Sequence, residues 1–148
     1  MRYLAIITRE GTATLAEFPD CPGCQTFVRK GDDPGIEAMA VEALHGWLES
    51  MLAAGDEIPE ASKRLRVPRG ARAMPVEVSP MLAVKIALRL ARRRAHLTQA
   101  ELAKRAGVSQ QQVARVESPD SNPTLGTLEK IADALGATLE IGLVPRHA

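Results

Sequence analysis

Aromatic residues are nearly absent: the 148 residues hold one Trp, one Tyr and two Phe. Any core must therefore be built from Leu, Ile, Val, Ala and Met. Cysteine is scarce as well, with only Cys21 and Cys24, spaced as Cys-Pro-Gly-Cys. A closed zinc site needs about four ligands, and His45, His96 and His147 lie far apart without ligand spacing. No helix-opening context accompanies the pair, as a thioredoxin-like motif would require. The segment reads as a Pro-Gly turn with small apolar flanks, and no metal or cofactor is expected. Long apolar runs are missing too: nothing approaches the roughly 20 residues of a membrane span. Arg9 and Glu10 follow the short apolar start too soon for a signal peptide. These absences point to a cytoplasmic protein.

An excess of one charge is also lacking, since 19 basic residues face 18 acidic ones. The charges are unevenly placed, however. Residues 1–60 contain four Lys/Arg against eleven Asp/Glu, net −7, and residues 61–148 are net +8. The basic stretch suits a polyanion, and the acidic one suits a basic protein.

What is present is strong local patterning. Residues 2–8 and 12–18 are β-branched and apolar around Arg9-Glu10-Gly11, which predicts a hairpin. Residues 24–28 follow a dense turn cluster as a third strand. Asp33-Pro34 supplies an N-cap and a first helical residue. Ile36, Met39, Ala40, Ala43, Leu44, Trp47, Leu48, Met51 and Leu52 then recur at helical spacing until Gly55. After a charged loop, Met74–Ser79 reads as a fourth strand. The expected fold class is α+β: a small β-β-β-α-β domain over residues 1–79, one helix on a sheet. An all-α domain with a terminal strand follows over residues 80–148. Ser79-Pro80 opens its first helix, and Arg89, Arg92, Arg93 and Arg94 crowd that helix's end.

Thr98-Gln99-Ala100-Glu101 and Ser109-Gln110-Gln111-Gln112 are two capping boxes. Gly107 between them supplies a left-handed turn residue, and small Ala103 lies where two short helices would cross. This is the pattern of a helix-turn-helix. Its second helix presents Gln110, Gln111 and Arg115 outward. Glutamine bonds adenine bidentately and arginine bonds guanine or phosphate, so duplex DNA is the expected ligand. Further on, Thr138–Val144 alternates apolar and polar types as a strand. A lone strand is not stable, so it is expected to pair with a second copy, giving a homodimer or a dimer of dimers, the alternative being that it folds back on its own domain.

Leu97–Ala103 with Val108–Val113, and then Asn122–Gly136, resemble the phage-repressor-like (XRE) helix-turn-helix family over about residues 80–136. The resemblance implies that Gln99, Ser109, Gln110, Gln111 and Arg115 contact DNA, with Asn122 and Thr124 on the backbone. Glu117–Ser121 departs from the shorter turn usual there. Phe18-Pro19-Asp20-Cys21-Pro22-Gly23-Cys24-Gln25-Thr26 resembles a segment of HicB-type antitoxins, and that likeness spans about residues 1–79. It implies a partial ribonuclease H-like sheet and a partner, HicA, a small basic ribonuclease that cleaves messenger RNA. The acidic surface of residues 1–60 would face that toxin, through side chains the sequence does not specify. Glu10, Asp20, Asp32 and Asp33 form no legible catalytic set, so no enzymatic activity is expected. The two function classes left are an antitoxin that represses its own operon and a stand-alone regulator whose first domain senses or dimerises.

Overall fold

The computed structural model describes residues 1–146. His147 and the last residue of the expected 80–148 domain lie outside them. The described chain divides into two compact units, residues 1–86 and the residues from Ala87 onward.

In the first unit, β1 (Arg2–Glu10), β2 (Ala13–Glu17), β3 (Gln25–Arg29) and β4 (Arg72–Glu77) form one antiparallel sheet in the order β3-β2-β1-β4. The β1–β2 loop is Gly11-Thr12, one step later than the sequence suggests. Gly11 takes a φ of 59°, as a mirror-image hairpin turn requires. One helix, α1 (Ile36–Ala54), packs across β2, β3 and β4. It buries Ile36, Ala40, Leu44, Leu48 and Leu52, while the sheet contributes Tyr3, Ala5, Ile7, Ala16, Met74 and Val76. Burying each large aliphatic side chain contributes about 1.5–3 kcal/mol. Gly55, at φ 74°, ends α1 and returns its amide to Leu52.

The start of α1 differs from the expected Asp33-Pro34 cap. Gly35 is the N-cap, and no side chain caps the helix. Asp32, just before it, serves the preceding turn: its carboxylate accepts from the Arg29 amide at 2.6 Å. The Phe18–Cys24 turn is closed by backbone hydrogen bonds, and both cysteines are buried free thiols. Burial pushes Cys21 up to about 12 and Cys24 to about 11, so both are protonated packing groups. The long loop after α1 is pinned to this turn. Asp20 accepts from the amide and hydroxyl of Ser62, each at 2.7 Å, and Tyr3 donates to the Pro59 carbonyl at 2.7 Å.

That anchoring changes the charge picture. Residues 61–72 belong to the first unit and carry Lys63, Arg64, Arg66, Arg69 and Arg72. The unit as a whole holds ten basic and twelve acidic residues, so the net −7 of residues 1–60 is not the charge of a folded body.

Helix α2 (Pro80–Arg94) starts at the proline, as its sequence predicts, and runs through the point where the two units divide. The second unit continues with α3 (Gln99–Ala106), α4 (Gln110–Val116) and α5 (Leu125–Ala134) around Leu102, Ala103, Val113, Val116, Leu128 and Ile131. The expected strand over Thr138–Val144 is not formed within the chain. No sheet edge in this all-helical unit offers it a ladder, and Ile141, Leu143 and Val144 are 65%, 99% and 87% exposed.

Candidate nucleic-acid interface

Two capping boxes build the interface. The Thr98 hydroxyl accepts from the Glu101 amide at 3.1 Å, and the Glu101 carboxylate accepts from the Thr98 amide at 2.8 Å. Ser109 and Gln112 repeat the exchange at the start of α4, at 3.1 and 2.9 Å. Between them Gly107, at φ 66°, turns the chain and returns its amide to Ala103. Ala103, Val113 and Val116 are buried. The register of α4 is therefore fixed, and Gln110, Gln111, Ala114 and Arg115 are all exposed on its other face.

Glu117 caps the end of α4 and is buried. Arg92 grips it with two bonds, Nε to Oε1 at 2.6 Å and Nη2 to Oε2 at 2.8 Å. Arg89 Nε lies 3.4 Å from Oε2, and Gln99 Nε2 donates to the same oxygen at 3.1 Å. Burial opposes ionisation of Glu117, but the Arg92 and Gln99 hydrogen bonds and the two guanidinium charges outweigh it. The carboxyl is held below its usual range. Burial lowers Arg89, whereas the bond to Glu117 raises Arg92. The network ties α2, the start of α3 and the end of α4 together. Sequence reasoning missed it, although arginines at positions 89 and 92 share a helix face and are more than a helix terminus needs.

The sequence-predicted residues fall into three settings. Gln110, Gln111 and Arg115 are exposed on α4. Ser109 and Thr124 are N-caps, of α4 and α5, whose oxygens accept from the Gln112 and Thr127 amides. Gln99 is half-buried, with its amide on Glu117. Arg115, Asn122 and Thr124 come together around a shallow depression of about 180 Å³, which Gln112 and Thr127 also line. The longer Glu117–Ser121 turn thus still delivers Asn122 beside α4. Ser121 holds that turn by donating to the Arg115 and Ser118 carbonyls.

Residues 88–141 match the model of the helix-turn-helix family. Within this stretch α3, the Gly107 turn and α4 form the helix-turn-helix. No curated protein matches the chain. Among solved structures, a chain from a "HicA3 and HicB3 toxin-antitoxin complex" is similar at 25% identity and a TM-score of 0.46, covering 54% of this chain and 100% of its own length. No helix among the described residues is long and apolar enough to cross a membrane.

Proposed function

We propose that the chain is a cytoplasmic antitoxin of the HicB type, not itself an enzyme. Its helix-turn-helix represses its own operon, and its first unit neutralises a HicA-like ribonuclease. The DNA half of this reading is carried by α4, whose capped start presents Gln110 and Gln111, and whose last turn presents Arg115, to solvent above buried Val113 and Val116. A recognition helix enters the major groove by that end. Gln99, Ser109, Asn122 and Thr124 hold the flanking backbone, and helix N-termini favour phosphate there. The toxin half is supported by the Phe18–Thr26 segment, which here forms the turn that anchors the long loop.

Replacing Gln110 and Gln111 together by Ala is expected to abolish footprinting on the operator while a co-expressed neighbouring toxin still co-purifies. An unchanged footprint would overturn the DNA contacts, and failure of the wild-type chain to retain the toxin would overturn the antitoxin reading. The nearly balanced charge of the first unit favours one second reading, a regulator whose first unit binds no strongly basic protein.

A further inference from the structure

Period-2 alternation places Arg9, Thr14, Val28 and Arg72 on the face of the sheet that α1 covers, since they pair as Arg9↔Thr14, Thr14↔Val28 and Arg72↔Ile7. Buried Ile7 marks that face. Beyond Ile7 this face opens to solvent, with Ile36 and Glu37 at the start of α1 beside it. The uncovered end holds two open depressions of about 550 and 480 Å³, which share Arg9 and Thr14. Arg72 and the first residues of α1 line one, and Thr12, Arg29 and Lys30 line the other.

The side-chain cations here are mostly unpaired, although the Asp32 carboxylate closes the adjoining turn on the Arg29 amide at 2.6 Å. Among the described residues, Arg9, Arg29 and Lys30 have no ion-pair partner, and Arg72 reaches only exposed Glu37 at 3.8 Å. Glu37 is the one carboxylate lining either depression. The N-terminus of the 19-residue α1 opens on the same place, with Gly35 bringing no capping side chain, and such a terminus favours an anion. Two joined, solvent-open depressions with several spaced cations suit a chain of phosphates better than one enclosed ion.

We propose that this end of the sheet binds the phosphodiester backbone of a single nucleic-acid strand. The site is built from residues of the first unit alone, so failure of operator binding leaves the proposal untouched. No aromatic side chain lines it for base stacking, so binding is electrostatic, independent of sequence and steeply dependent on salt.

The test is fluorescence anisotropy of the full chain with labelled single-stranded RNA and DNA 12-mers of the same mixed sequence. The combined variant Arg9→Gln, Lys30→Gln, Arg72→Gln is expected to weaken both by at least ~10-fold at low salt. It should reduce the slope of log affinity against log salt by about 2, three phosphate contacts' worth, while operator binding is retained. Glu37→Gln is expected to tighten binding ~2-fold by removing the opposing carboxylate. Equal affinity and slope for the triple variant, no strand binding by the wild type, or strict preference for one sugar would each overturn the proposal. Should the triple variant fail to fold, Glu37→Gln decides: tighter binding supports the site, and unchanged binding overturns it.

Discussion

A carboxylate withdrawn from water stays ionised only where cations and donors replace the solvent, and Glu117 meets that condition through Arg92, Arg89 and Gln99. Replacing it by Gln leaves the buried Arg89 and the part-buried Arg92 guanidinium groups without their anion. The expected loss is about 3–5 kcal/mol, read as a fall in the denaturation midpoint of the full chain. The pH dependence follows from the depressed acidity of Glu117. In the unfolded chain a glutamate titrates near about 4.3. The stabilisation is therefore complete above that value and is lost as pH falls through the lower folded value. Wild type should accordingly approach Glu117→Gln in stability as pH drops below about 4. A gap that stays constant from pH 7 down to pH 3 would show that the charge of Glu117 contributes little.

At the scale of elements, the second unit was legible where its signals are local. Ser109 and Gln112 sit three residues apart and bond each other's backbone, so α4 could be placed from four letters. Gly107 announced its left-handed turn in the same way. Ser109→Ala is expected to cost about 1 kcal/mol, and Gly107→Ala about 1–2 kcal/mol, because a side chain there enters the left-handed region. The Gly107 loss arises from the backbone alone, since an added Cβ would meet nothing within 4 Å. Thermal unfolding of both variants checks the order, and a neutral Gly107→Ala would contradict the backbone argument. Non-local features were not legible. The Arg92–Glu117 clamp joins residues 25 apart in sequence, and nothing in either neighbourhood spells it. The charge split misled because residue 60 is not where contacts divide the chain. The Lys63–Arg72 segment folds back through Ser62 onto Asp20 and brings its cations into the first unit.

For the whole molecule, we propose that the segment after α5 sets how many copies act together. Alternation at Leu139, Ile141 and Leu143 describes one face of a strand but says nothing about its ladder, and the helical unit that carries it supplies none. Leu143 and Val144 stay almost fully exposed, a poor end state for two aliphatic side chains that would each gain about 1.5–3 kcal/mol on burial. A second copy offers the same segment in the opposite direction, so two-fold pairing satisfies backbone and side chains at once. The resulting dimer would read an inverted repeat with half-sites about one helical turn apart. Truncation after Ala137 is expected to leave a folded monomer by sedimentation, with operator affinity reduced by at least ~10-fold. Ile141→Lys with Leu143→Lys should do the same without shortening the chain. Retention of the dimer by both variants would move the self-association surface elsewhere. A monomeric wild type would limit each chain to a single half-site, and operator selectivity would then rest on α4 alone.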